Sequence, residues 1–285
     1  MSQAGPTETS VVAENTDNDV FHVTADQVTI KGFTVTGATG HGKRGVYLDN
    51  VNGFKITGNH VNGNSNGIRL QTSTNGTVSE NDFSSNYTGI VMRDSTDNTL
   101  QGNIVSNNDF NGIHMADGSG NNDIKDNNVS DNGTSGIYLH STGSSNNTIK
   151  GNTISNNDHG IYMHAGPSDN VISDNTISNN ISVGIWFNIA ANDNTLTNNT
   201  ISNNNIGIFQ SYFEIYPSSG NSVHHNSIYG NIGSGVHNQD TRVDNRLDAT
   251  NNWWGAANGP GGEGPGDGDD VSENVLFDPW AESPF

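Results

Sequence analysis

Five side chains in the first half of the chain are of the types that act on acidic sugars: Arg69, Arg93, Asp94, His114 and Asp117. A polyuronate lyase needs cations that neutralise the uronate and a base that removes the adjacent proton. Two carboxylates on neighbouring turns of a repeat would instead suit the acid and base of a glycosidase, whose separation decides retention or inversion. Both chemistries stay open, and scattered polar residues of this kind are also common on a solvated surface.

Two histidines 24 residues apart, His140 and His164, form a second group of candidates. Neutral imidazoles on adjacent turns of a repeat can share a transition metal, and the same two rings could contact a bound substrate. The many aspartates make Ca²⁺ an alternative ligand, although the sequence contains no D-x-D-x-D-G loop. None of these patterns requires a cofactor.

Aromatic side chains recur at one position of the same spacing, namely Tyr138, Tyr162, Trp186 and Phe209. Each is the second residue after a glycine, so on strands all four point to one side. The segment SYFEIYPSS adds Tyr212 and Tyr216 nearby. Aromatic rings pack on the C–H faces of sugars, and the pattern predicts a polysaccharide-binding column flanked by His140 and His164. The alternative is that the rings only stabilise a sheet by cross-strand stacking.

A repeat positions all of these candidates. Nine times a glycine precedes a β-branched residue, at Gly45, Gly67, Gly89, Gly112, Gly136, Gly160, Gly184, Gly207 and Gly235. The intervals of 22 to 28 residues indicate stacked units that bury their apolar faces against each other. Each interval holds three short alternating segments, which favours strands over helices. The sequence therefore predicts an all-β fold, a single-stranded right-handed parallel β-helix of about ten coils with three short strands per coil.

Asparagine recurs in two further columns of the repeat. One column contains Asn59, Asn81, Asn103, Asn127, Asn152, Asn175, Asn199 and Asn226, and the other contains Asn64, Asn86, Asn108, Asn132, Asn157, Asn180, Asn204 and Asn231. Like residues on stacked coils lie about 4.8 Å apart, so each column can form a ladder of amide hydrogen bonds. Asparagine also tolerates the left-handed backbone of a sharp corner. These columns are predicted to be structural turns rather than sites.

The β-helix is predicted to occupy residues 20–255, after a polar lead-in or cap at 1–19. The glycine- and proline-rich run at 255–270 is expected to form no strand, because those residues weaken or interrupt a ladder. Residues 256–285 are then a tail whose closing VLFDPW folds back as a cap over the last coil.

Charge excludes several partners. The chain contains 30 acidic and 10 basic residues, a net charge of −20, and such a polyanion repels nucleic acid and anionic lipid. An excess of surface acid is also typical of halophile-like proteins. There is no cysteine, and no apolar run approaches the 18 residues of a membrane span, so direct membrane insertion is not expected.

The GIxL…NxI…NxISNN repeat over residues 20–254 closely resembles the β-helix repeats of the NosD-like and CASH class, the carbohydrate-binding proteins and sugar hydrolases found on archaeal surfaces. The resemblance implies an extracellular or cell-surface module that binds polysaccharide or a surface glycan within a larger multidomain protein. It leaves three alternatives: a lyase or glycoside hydrolase, a non-catalytic spacer or adhesin, and a NosD-like copper-binding accessory protein that would use His140 and His164.

Overall fold

The computed structural model describes residues 9–285, which wind into a parallel β-helix whose successive periods contribute short strands to three sheets. Equivalent residues of successive coils pair in register, as Tyr138 pairs with Tyr162 and Tyr162 with Trp186. The predicted right-handed parallel β-helix is confirmed, with a second sheet of 11 strands where about ten coils were expected. No helix in residues 9–285 is long and apolar enough to cross a membrane.

The first sheet contains the glycine phrases. Its 12 strands, in spatial order, are Phe21–Val23, Arg44–Asp49, Asn66–Gln71, Thr88–Arg93, Ile113–Ala116, Ser135–His140, His159–His164, Val183–Asn188, Ile206–Gln210, Ser234–Asn238, Gly268–Val271 and Pro260–Gly262. The second sheet contains Thr29–Lys31, Lys55–Thr57, Thr77–Ser79, Thr99–Gln101, Asp123–Lys125, Thr148–Lys150, Val171–Ser173, Thr195–Thr197, Ser222–His224, Leu247–Asp248 and Val275–Leu276.

The third sheet has two parts, joined by isolated bridges from His60 through Asp82 to Ile104. The first part contains Ser10–Val12, Thr34–Thr36 and His60–Val61, and the second contains Ile104–Ser106, Asn128–Ser130, Thr153–Ser155, Thr176–Ser178, Thr200–Ser202 and Ser227–Tyr229. A 3₁₀ turn lies at Val243–Asn245. The core runs through the middle of all the coils, where side chains such as Ile161, Ile172 and Ile177 have no exposed surface.

The glycine of each phrase is required by the close approach of successive coils. A Cβ atom on Gly160 would overlap the carbonyl oxygen of Gly184 and lie 2.8 Å from Cγ2 of Ile177. Gly207 has the same environment, since a Cβ there would lie 2.5 Å from the oxygen of Gly235. Only glycine leaves room for the next coil at this corner between the third and first sheets.

Asparagine ladders join the coils at their corners, as the sequence predicts. The Oδ1 atom of Asn127 accepts from the backbone N and the Nδ2 of Asn103, both at 2.9 Å. Its own Nδ2 donates to Leu100 O and to Asn152 Oδ1, both at 3.0 Å. Each buried amide therefore bonds the coil before it and the coil after it. A third ladder, absent from the sequence interpretation, contains Asn98, Asn122, Asn147, Asn170, Asn194 and Asn221.

Regular strand pairing begins inside the segment assigned to the lead-in, because Ser10–Val12 pairs with Thr34–Thr36. The part of that lead-in at 1–8 lies outside the described residues. The prediction that 255–270 forms no strand was wrong: Pro260–Gly262 pairs with Gly268–Val271, which pairs in turn with the coil at Ser234–Asn238. Pro260 is tolerated because its strand is the last in the sheet, where a missing N–H breaks no inner ladder.

The tail also ends the second predicted asparagine ladder. Asp269 takes the place of the next asparagine: its Oδ2 accepts from Nδ2 and N of Asn231 at 2.7 and 3.0 Å, and its Oδ1 accepts from Gly230 N at 2.7 Å. Burial raises the pKa of this carboxyl above its ordinary value. Trp254 is fully buried beside the same end. The last coil is thus covered by its own chain.

We expect Asn127→Ala to lower the free energy of unfolding by about 2 to 4 kcal/mol, because the two donors of Asn103 lose their acceptor inside the protein. Asn128→Ala is the matched control, since the adjacent Asn128 side chain is exposed and should contribute within about 0.5 kcal/mol. Urea denaturation followed by circular dichroism measures both. Equal urea midpoints for the two variants would contradict a stabilising role of the asparagine ladder.

Candidate functional site

Six rings lie in one line on the outer face of the first sheet. Strand alternation buries Ile161 and Met163 and turns Tyr162 outward, and in-register pairing repeats this on every coil. The resulting ring stack contains His114, Tyr138, Tyr162, Trp186, Phe209 and His237, with successive ring centroids 4.9, 5.1, 4.6, 5.7 and 5.5 Å apart. The four aromatic residues predicted to form a column therefore lie side by side, half-buried.

Neighbouring side chains hold the rings of the stack in place. Nε1 of Trp186 donates to Ser211 Oγ at 2.6 Å, and the ring of His159 meets the indole edge-on at 4.9 Å. Burial raises the pKa of Tyr138 to about 12 and also raises the pKa of Tyr162, so both phenols stay protonated at neutral pH. The stack presents a neutral, preorganised aromatic surface.

His140 and His164 lie beside the stack with ring centroids 5.7 Å apart. Asn188 Nδ2 donates to the hydroxyl of Tyr162 at 2.6 Å, and Nδ1 of His164 lies 3.2 Å from both that hydroxyl and Asn188 Nδ2. Burial, followed by the nearby His140, lowers the pKa of His164. His164 is therefore a neutral ring with one nitrogen already occupied.

The donor set does not fit the copper site that the family resemblance implies. The planes of His140 and His164 are within 14° of parallel, so their in-plane lone pairs do not converge on one point. Among residues 9–285 no three histidine, cysteine, aspartate or glutamate side chains lie close enough to hold a metal ion. The two parallel imidazoles therefore do not form a chelating pair.

A cleft of about 840 Å³ opens at the N-terminal end of the ring stack. Arg69, Val91, Arg93 and His114 line it from the first sheet. Asn66 and Thr88 line it at the start of their first-sheet strands. The turns that precede the glycines form its other side, and they contribute Thr39, His41, Gly42, Gly63, Asn64, Ser65, Ser85, Asn86, Tyr87, Asp109 and Phe110. His114 belongs to both the cleft and the ring stack, which makes the two surfaces continuous.

The structure brings together only part of the predicted catalytic group. Arg69, Arg93 and His114 line the cleft, whereas Asp94 and Asp117 do not. Asp117 Oδ2 lies 3.3 Å from Nη1 of Arg93. Asp94 accepts hydrogen bonds from Gln71 Nε2 and Gly118 N, each at 3.2 Å. Asp117 therefore pairs with an arginine of the cleft, whereas Asp94 bonds groups at the turns that follow the strands.

Burial and neighbouring positive charges lower the pKa values of two side chains in the cleft. Burial, then the charge of Arg93, lowers the pKa of His114 to about 4, so its imidazole is neutral at pH 7. Burial and the charges of Arg44 and Arg93 also lower the pKa of Arg69. The cleft thus contains arginine charge beside a neutral base.

Two predicted substrate contacts lie outside the ring stack. Tyr212 faces the guanidinium of Arg242 at 5.2 Å, and Tyr216 is 61% exposed on the loop that follows the strand Ile206–Gln210. The sequence interpretation missed the aromatic pair of the cleft, Tyr87 and Phe110. The sequence could have predicted this pair, because each ring lies two residues before a glycine of the repeat, Gly89 and Gly112.

Comparisons with solved structures found the same fold in several enzymes. The A-module of the mannuronan C-5 epimerase AlgE4 from Azotobacter vinelandii is 18% identical (TM-score 0.66, covering 99% of this chain and 82% of that one). An alginate lyase from Paenibacillus sp. str. FPU-7 is 13% identical (TM-score 0.59, 94% and 99%). DFA-IIIase from Arthrobacter chlorophenolicus A6, without its lid, is 14% identical (TM-score 0.69, 91% and 68%). At such identities the likeness shows the fold alone.

Comparisons of sequence give the family. No curated protein sequence matched the chain significantly. The family model described as a right-handed β-helix region matches residues 125–253. The model described as periplasmic copper-binding protein (NosD) matches residues 7–185, which is more than half of the chain. On this evidence the chain belongs to the NosD family of β-helix proteins.

Proposed function

We propose that this protein binds a polysaccharide along the ring stack of its first sheet. The observation that carries the proposal is the alignment of six rings at 4.6 to 5.7 Å on an accessible face. Aromatic faces pack on the C–H faces of sugars, and a continuous outward apolar ribbon usually marks an interaction surface. Structural neighbours that are named as an epimerase of mannuronan and a lyase of alginate support a β-helix that acts on polysaccharides.

The setting of this function is proposed to be the cell surface or the space outside the cell, as one module of a larger surface protein. The family model and an alginate epimerase of the same fold are both described as periplasmic. The net charge of −20 disfavours nucleic acid as a partner. A spacer or adhesin would have the same fold, but it would not need accessible rings in register.

We expect Trp186→Ala to weaken polysaccharide binding about tenfold or more, since a central aromatic anchor commonly contributes at least about 1.4 kcal/mol. Trp186→Phe should restore most of the affinity because it keeps a ring in the stack. Affinity electrophoresis against a panel of neutral and acidic polysaccharides, followed by calorimetry with the best binder, measures the change.

Tyr229→Ala is the matched control, because Tyr229 is half-buried on the third sheet and packs against Trp253 at 5.3 Å. Its melting temperature should fall about as much as that of Trp186→Ala, while its affinity stays at the wild-type value. The proposal fails if Trp186→Ala binds as tightly as the wild type, or if no polysaccharide of the panel binds.

A second candidate function, β-elimination of a polyuronate, is favoured by the meeting of Arg69, Arg93 and neutral His114 in one cleft. The arginines would neutralise the uronate carboxylate, and His114 would take the proton from the adjacent carbon. The C–O bond at the next carbon then breaks as a C=C bond forms, and the departing oxygen takes a proton from water. Without turnover, the same groups still contribute to binding.

If the cleft catalyses β-elimination, kcat/KM should stay constant down to about pH 4 and fall about tenfold for each pH unit below that. His114 can accept a proton only when it is neutral, and its pKa in the free protein is about 4. The absorbance of the unsaturated uronate product measures the rate. His114→Gln should abolish it, whereas His60→Gln, on the third sheet, should not change it. A profile that already falls near pH 6.5 would exclude His114 as the base.

A further inference from the structure

Two exposed aromatic rings form a platform in the cleft. Tyr87 and Phe110 stack with centroids 5.5 Å apart and planes within 7° of parallel. They are 52% and 37% exposed, and both line the cleft that contains Arg69. They lie outside the strands of the first sheet, at equivalent turns of successive coils, where Phe110 N donates to Tyr87 O at 2.8 Å. A flat, accessible aromatic pair beside a polar cleft is suited to one face of a sugar ring.

Arg69 offers an unused charge in the same cleft. Among the ion pairs of residues 9–285 none includes Arg69. Its Nη2 donates to Gln71 Oε1 at 2.5 Å, while its Nε is buried without a hydrogen-bond partner. A guanidinium that is partly removed from water and forms no direct ion pair gains from a bound carboxylate, which it can hold through two parallel hydrogen bonds.

The charges that line the cleft are unlike those of the whole molecule. The chain has three acidic residues for each basic one, yet the cleft is lined by Arg69 and Arg93 against the single carboxylate of Asp109. His41 and His114 add two imidazoles. Arg93 already forms an ion pair with Asp117, with Nη1 and Oδ2 3.3 Å apart. Arg69 is therefore the main anchor for a bound anion.

From these contacts we infer that the cleft is a subsite for a carboxylated sugar, with the sugar ring on Tyr87 and Phe110 and the carboxylate on Arg69. The inference rests on the proposed function and deepens it, because it names the ligand as an acidic polysaccharide. The next sugars of the chain run onto the ring stack, since His114 lines the cleft and stacks on Tyr138 at 4.9 Å. Cleft and stack together form one continuous groove along successive coils.

The test compares polyuronates with the same polymers after reduction of their carboxyl groups to neutral alcohols. We use alginate, polygalacturonate and a glucuronan as probes. The wild type should bind at least one polyuronate about tenfold more tightly than its reduced form, because a charge-assisted bidentate pair is among the stronger hydrogen-bonded contacts. Arg69→Gln should lose this preference and bind both forms equally. Lys150→Gln is the control, since it removes the same charge from the second sheet.

A second pair of variants tests the platform. Tyr87→Ala should weaken binding of acidic and reduced forms alike, and Tyr87→Phe should keep wild-type affinity because the ring remains. The subsite is refuted if the wild type binds both forms equally, or if Arg69→Gln and Lys150→Gln behave alike. Binding of reduced polymers without a preference for acid would overturn the subsite and leave the ring stack standing. Binding of neither form would overturn both.

Discussion

The structure depends on the hydrogen bonding that holds each coil in register with the next. Backbone pairing alone permits a strand to slip, but the buried amides at the corners accept and donate at fixed positions on both neighbours. Asn127, for example, bonds Asn103 on one side and Asn152 on the other. Because a slip would leave several buried polar groups without partners, the coils that the ladders join stay in register. The glycine at each phrase permits the close approach that these bonds need.

Because the coils pair in register, residues at equivalent positions of the repeat line up in rows on the surface. Residues about 24 positions apart become neighbours at ring-stacking distance, as Tyr162 and Trp186 do at 4.6 Å. The same rule sets Arg69, Arg93 and His114 around one cleft although their separation in sequence is large. A solenoid can therefore assemble an extended groove from one substitution per coil, while the inward positions stay apolar. The acidic rest of the surface repels an anionic ligand, so only the local arginine charge of the cleft is suited to hold one.

Much of this could be predicted because the repeat is strict. The glycine intervals and the outward aromatic positions predict the first sheet and the ring stack, and both asparagine columns predict their ladders. The third ladder was missed because its early coils contain other residues, such as Phe54 and Gly76 at the equivalent positions. The strands near Pro260 were missed because pairing to the last coil outweighs poor local propensity. The positions of Asp94 and Asp117 depend on turn geometry, where positive φ angles redirect both side chains.

A crystal structure with a bound uronate oligosaccharide tests the central claim most directly. The account predicts sugar rings in a line across successive coils of the first sheet, with a carboxylate on Arg69 and the chain continuing over Tyr138, Tyr162 and Trp186. Sugar bound on the second or third sheet, or lying across the coils without contact to these rings, would contradict it.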